Sequence, residues 1–152
     1  RLVRAHAASG ADATIAVWDV PRAETYRYGV VQPAGEPADE FAISAIVEKP
    51  APAAAPSTLA VAARYVFTPR IFAAIDAIQP GLGGELWLTD AIRVLLQWGR
   101  PVRCVRLLPD ERRYDIGTPG TYFRAFADFA LADPEHGESF RRYLLEKLGV
   151  AP

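Results

Sequence analysis

The sequence predicts an α/β fold, a mixed β-sheet flanked by helices. Apolar, β-branched runs come first, and amphipathic helical patterns interspersed with a further strand-like run follow. The composition, 51% hydrophobic and 23% charged over 152 residues, is that of a chain that buries a core and does not stay disordered. This length suits a single domain over residues 1–152, and no internal repeat is visible.

Residues 2–6 look like the tail of a helix that Ser9-Gly10 ends. Residues 13–20 (ATIAVWDV) read as a strand, and 28–32 (YGVVQ) as a second. Residues 32–40 (QPAGEPADE) form a turn, and 41–48 (FAISAIVE) a third strand that can make a long-looped hairpin with the second. Residues 49–57 (KPAPAAAPS) hold three prolines and read as an extended surface loop. Residues 58–67 (TLAVAARYVF) are a fourth strand. Thr68-Pro69 reads as N-cap and N1 of a helix carrying Ile71, Phe72, Ile75 and Ile78. Gly81 to Gly84 form a loop, and Thr89 caps a helix to Gln97 with Asp90 in its first turn. Residues 102–108 are strand-like. Thr118-Pro119 starts a helix bearing Tyr122, Phe123, Phe126 and Phe129. A last helix, 139–148, ends before Gly149 with Phe140, Tyr143, Leu144 and Leu148 on one face.

Several function classes fall away. Seventeen Lys+Arg against eighteen Asp+Glu leave a net charge of -1, with no electrostatic footprint for nucleic acid. One cysteine, Cys104, excludes an internal disulfide framework and a Cys-based zinc site; within its apolar run it reads as a buried small hydrophobe. His6 and His136 lie far apart and read as surface residues. No signal peptide and no run of 18 apolar residues appears, so no membrane partner and a cytoplasmic location are expected. Trp18, Trp87 and Trp98 read as packing residues. Lys49 and Lys147 are the only lysines, which makes Lys49, directly after a strand, conspicuous.

Four motifs carry chemistry, each with a plainer alternative. In Arg27-Tyr28-Gly29-Val30-Val31, Gly29 either offers its amide to a ligand hydroxyl or only fits a bend. In Val47-Glu48-Lys49-Pro50, a carboxylate that can accept from two sugar hydroxyls precedes an ammonium that can neutralise a phosphate. Strand alternation points the two to opposite sides unless a bulge turns one, and a solvated strand end is the alternative. The glycine-rich run from Gly81 to Asp90 lacks the Gly-Lys-Ser/Thr of a Walker loop, and no Gly-x-Gly-x-x-Gly or Gly-x-Ser-x-Gly motif is present. There Glu85 is the polar group without a capping duty. In Tyr114-Asp115-Ile116-Gly117-Thr118-Pro119, Asp115 either holds Mg²⁺ outside a strand's carboxyl end or stabilises the turn by accepting amide hydrogens.

Taken in order, these motifs resemble the sugar-1-phosphate nucleotidylyltransferases, above all their uridylyl branch. The matching pieces are RYGVV (27–31), VEKP (47–50), ARYVF (63–67), GLGGELWLTDAI (81–92), YDIGTPGTYFRAF (114–126) and FRRYLLEKLG (140–149). The resemblance implies a nucleotide-diphospho-sugar transferase (Rossmann-like) fold. It implies that Gly29 and Glu48 bind sugar hydroxyls, that Lys49 binds the sugar phosphate and acts in catalysis, and that Glu85 and Thr89 lie beside the sugar pocket. It places Asp115 at a catalytic Mg²⁺. The substrates implied are a sugar 1-phosphate and a nucleoside triphosphate, UTP being favoured over the thymidylyl and adenylyl alternatives. The family's N-terminal Gly-rich loop and second metal-binding aspartate have no counterpart here, so the chain is expected to be the C-terminal, sugar-phosphate half and to be inactive alone. A stand-alone, non-catalytic sugar-phosphate-binding domain is the other reading. A sheet edge stripped of partner strands suggests a homo-oligomer.

Overall fold

A computed structural model describes residues 1–81 and 84–150. Leu82 and Gly83 of the expected 81–84 loop lie outside the described residues. The chain forms two compact units that meet in sequence after Glu111.

The first unit holds the sheet. Its strands are β1 (Ala13–Asp19), β2 (Gly29–Pro33), β3 (Glu40–Glu48), β4 (Leu59–Phe67) and β5 (Val102–Arg106). Its helices are α1 (Leu2–Ser9), α2 (Arg70–Asp76) and α3 (Leu88–Gln97). The second unit holds α4 (Pro119–Ala132) and α5 (Gly137–Leu148).

The sheet is mixed, as predicted. β1 pairs antiparallel with β4 and parallel with β5, and β2 and β3 form the expected hairpin with Gly29 opposite Glu48. The strand ring β1-β4-β2-β3-β5 then closes, because the start of β3 pairs with β5 and Val30 of β2 meets Ala60 of β4. Among the described residues every strand therefore has two neighbours, although β2 meets β4 at one pair and β3 meets β5 at three. Large exposed apolar groups lie on α4 and α5, among them Phe123, Phe129 and Leu148.

The burial of each strand explains its sequence. β1 is buried from Ala13 to Val17, which accounts for an unbroken apolar run. β3 alternates, with Phe41 and Ile43 inside and Ala42 and Ser44 outside, until a register shift against Gln32/Pro33 changes its phase and buries Ile46. β4 is irregular between its pairings with Val17 and Ile15, and Ala63 there has φ 53°. α3 packs against β3 and α2, burying Thr89, Ala91, Ile92 and Leu95. Cys104 is fully buried, as predicted, and burial pushes its thiol pKa up.

Three local expectations are corrected. The hydroxyl of Thr68 does not cap α2, whose N-cap is Pro69; it donates to Oδ1 of Asp12 at 2.7 Å. Thr89 lies inside α3, whose N-cap is Trp87. His6 is half-buried, with Nδ1 2.9 Å from the Thr14 hydroxyl, rather than on the open surface. The turn of 3-10 helix at Arg22–Arg27 had no sequence signal. By contrast, Thr118 caps α4 as predicted, in a reciprocal box with Thr121. α5 begins at Gly137, two residues before the predicted start. A Cβ at Gly137 would stand 2.6 Å from the Leu131 carbonyl, so only glycine lets α5 start this close to the end of α4.

A buried carboxylate, paired with arginines open to solvent, ties the first unit together. Asp12, 3% exposed, is held by the Thr68 hydroxyl, by Nε of Arg100 and by Nε of Arg70 at 3.3 Å. Burial alone would raise its pKa. The Thr68 hydrogen bond and the two guanidinium groups outweigh burial and hold the carboxyl below its ordinary value.

Candidate functional site

Two strands and the start of one helix bring the predicted residues of the first unit together. Glu48 ends β3, opposite Gly29 at the start of β2. Its Oε2 accepts from the Thr89 hydroxyl, 2.8 Å away in the first turn of α3. Thr89 is buried and Glu48 half-buried. Gly29 sits against both: a Cβ there would stand 2.8 Å from Cγ2 of Thr89, 3.1 Å from Oε2 of Glu48 and 3.4 Å from Cγ2 of Val61. Its backbone conformation demands no glycine, so the absent side chain is what the position requires. The closely approaching group is the protein's own Glu48–Thr89 pair.

Lys49 shows how the chain overcomes strand alternation. Its φ is 44°, a left-handed conformation that non-glycine residues adopt rarely and at a cost of about 1–3 kcal/mol. Alternation would send Glu48 and Lys49 to opposite sides. Instead both reach the segment that opens α3: Glu48 bonds Thr89, and the Lys49 ammonium lies 5.7 Å from the centre of the Trp87 ring. The backbone N–H of Lys49 donates to the Tyr28 carbonyl at 3.0 Å, which pins the twisted residue to the start of β2. Among the described residues no carboxylate pairs with Lys49 and no donor reaches Oε1 of Glu48. A carboxylate oxygen and an ammonium, both without a protein partner of opposite charge, suit a ligand carrying hydroxyls and an anionic group.

Glu85 stands apart from the Glu48–Thr89 pair. It is exposed, and its Oε2 accepts from the indole N–H of Trp87 at 3.1 Å. Two residues escaped the sequence reading. Trp87, expected to be packing, joins Glu85 to Lys49. Tyr65, half-buried on β4, has its phenol pKa raised by burial and then by the charge of Glu48. Trp87 precedes Thr89 by two residues and Tyr65 sits in the ARYVF run, so both stood inside motifs already singled out.

Asp115 belongs to the second unit. It is exposed; Oδ1 accepts from the Gly117 N–H at 3.1 Å, and Oδ2 lies 3.4 Å from Nη2 of Arg113. This is the turn-stabilising geometry that the sequence left as one of two alternatives. Among the described residues no group of three or more His, Cys, Asp or Glu side chains forms a metal cage. No described helix is long and apolar enough to cross a membrane.

A mixed sheet with flanking helices thus carries a carboxylate and an ammonium where β3 meets the start of α3. The chain belongs to the nucleotidyl transferase family, whose model matches residues 1–131. It is 39% identical over 134 residues to the UTP–glucose-1-phosphate uridylyltransferase of Streptococcus pneumoniae, a match covering 88% of this chain and 44% of that protein. The enzyme of the same name from Staphylococcus epidermidis is 34% identical over 130 residues, covering 86% of this chain and 44% of the relative. Among solved structures, the UTP-bound UGPase from Acinetobacter baumannii superposes with a TM-score of 0.80 at 33% identity, over 95% of this chain and 48% of that one. A UDP-glucose pyrophosphorylase complexed with UDP-glucose gives a TM-score of 0.68 at 32% identity, over 77% and 43%. The chain thus spans somewhat under half the length of the relatives it matches.

Proposed function

We propose that the chain is the sugar-phosphate-binding half of a UTP–glucose-1-phosphate uridylyltransferase. The observation that carries this reading is the convergence of Gly29, Glu48 and Thr89 beside a Lys49 turned out of strand geometry. Glu48 accepts hydrogen bonds from sugar hydroxyls, with Thr89 holding the carboxylate in place and Gly29 leaving it room. Lys49 takes the sugar phosphate as a point charge. Relatives bound to UTP and to UDP-glucose support the substrate class.

In the reaction, a phosphate oxygen of glucose 1-phosphate attacks the α-phosphorus of UTP. The bond to the β-phosphate oxygen breaks, and pyrophosphate departs in line. Such a transfer needs positioning and charge neutralisation more than covalent help. Lys49 offsets the repulsion between two anionic phosphates as they approach. Glu48 and Thr89 fix the sugar ring, so that the phosphate oxygen faces its target.

A divalent cation, Mg²⁺ in our reading, would neutralise phosphate charge when bound. Mg²⁺ is held by one or two carboxylates together with substrate phosphates. Asp115 would supply one such carboxylate; Oδ1 also accepts from the Gly117 amide at 3.1 Å and Oδ2 lies 3.4 Å from the Arg113 guanidinium. Among the described residues no cage of three or more such side chains forms, so the cation would take its remaining oxygens from the substrate phosphates and water.

The chain alone is expected to bind glucose 1-phosphate and to form no UDP-glucose. Calorimetric titration with glucose 1-phosphate tests the reading. Lys49→Ala should weaken binding by about 2 kcal/mol, some thirtyfold, the cost of losing a charged hydrogen bond. Equal affinity in wild type and variant would remove Lys49 from the phosphate site.

A further inference from the structure

Trp87 has no assigned role in binding or catalysis, yet its surroundings are specific. Its ring lies beneath the Lys49 ammonium, within the roughly 6 Å over which a cation is drawn to an aromatic face. Its indole N–H donates to Glu85 at 3.1 Å, and Gly81 lies alongside the ring, where a Cβ would stand at ordinary contact distance, 3.4 Å, from Cζ3. The Gly81 N–H in turn donates to the Glu85 carbonyl at 2.9 Å, joining Gly81, Glu85 and Trp87 into one loop.

We propose that Trp87 is a positioning residue for Lys49. A lysine with four flexible carbons needs something to hold its ammonium in one place. A carboxylate would hold it but would cancel the charge and compete with an incoming phosphate. An aromatic face holds the ammonium and leaves its charge uncompensated. Donation of the indole N–H to the Glu85 carboxylate pushes electron density into the ring and strengthens that hold. The inference rests on the reading of Lys49 as the phosphate-binding group.

The chain contains two lysines, so isotope-labelled lysine yields two sets of ε signals. Lys147 lies 5.6 Å from the ring of Tyr143 and serves as an internal control. Trp87→Leu should shift the Lys49 ε protons toward the free-lysine position, leave Lys147 unmoved, and weaken glucose 1-phosphate binding about three- to fivefold. Trp87→Phe keeps a π face without the N–H and should restore most of the affinity. In a Lys49→Met background, Trp87→Leu should cost nothing further. An equal loss in that background would mean a merely structural role and overturn the inference. So would unchanged binding by Trp87→Leu while wild type binds. If wild type itself binds no glucose 1-phosphate, the functional reading fails and takes this inference with it.

Discussion

Gly29→Ala is the smallest change that separates the present account of the site from a reading in which the glycine only fits a bend. Gly29 has ordinary extended geometry, so alanine strains no backbone dihedral, and any cost must come from contact. The new Cβ would stand 2.8 Å from Cγ2 of Thr89, where ordinary contact begins at 3.4 Å, so the pair must part by about 0.6 Å. A second contact, 3.1 Å from Oε2 of Glu48, blocks retreat on the carboxylate side. Thr89 is 6% exposed and its helix packs on β3, so the strain is not absorbed by solvent. Overpacking of this kind costs about 1–3 kcal/mol. Urea unfolding should show a lower midpoint at unchanged slope. Because Thr89 orients Glu48, glucose 1-phosphate binding should fall about tenfold as well. Thr89→Ser removes Cγ2 and keeps the hydroxyl that bonds Glu48. The double variant should recover about 1 kcal/mol relative to the sum of the single changes. Full stability in Gly29→Ala, or strict additivity in the cycle, would refute the close-approach argument.

Other outcomes follow from the same structure. Asp12→Asn should cost about 1–2 kcal/mol, because the Thr68 hydroxyl and Arg100 lose a charged acceptor while solvent reaches the arginines. The Asp12 pKa is depressed in the folded state, so its contribution is fully present above its ordinary value of 3.8 and is lost as pH falls through the lower folded value. Acid denaturation of wild type and Asp12→Asn should converge below that window, and curves that stay parallel would contradict the assignment. Cys104, fully buried with its thiol pKa raised, should resist a thiol reagent at neutral pH in the folded protein and react once urea unfolds it. Thr118→Ala should cost about 1 kcal/mol through loss of the α4 capping box, read as a lower thermal midpoint.

Much of the fold was legible because each strand carries its burial in its pattern: β1 unbroken, β3 alternating, β2 and β3 flanking a Pro- and Gly-rich turn. Threonine caps show where legibility stops. Thr118 behaves as its spacing predicts because its partner, Thr121, is local. Thr68 and Thr89 carry equally good cap signals, yet one hydroxyl goes to Asp12 and the other to Glu48, partners remote in sequence. Spacing cannot reveal a competitor that only the fold brings near. The site divides along the same line. Glu48 and Lys49 were visible as a charged strand end, and Gly29 as a glycine where a strand begins. The left-handed turn at Lys49 was not, because a residue before a proline is expected to be extended. Trp87 went unrecognised because an aromatic residue ahead of a helix is usually packing, and its role depends on where Lys49 is sent. The closure of the strand ring was hidden for a related reason: it joins β3 to β5 across more than fifty residues.

The central claim, that the β2–β3–α3 junction binds a sugar phosphate, is tested most directly by backbone and lysine NMR of the chain titrated with glucose 1-phosphate. The account predicts saturable shifts centred on Gly29, Glu48, Lys49 and Thr89, the Lys49 ε signals among them, with inorganic phosphate moving Lys49 but leaving Gly29 and Thr89 in place. Saturable shifts elsewhere, or none at these four residues, would contradict it.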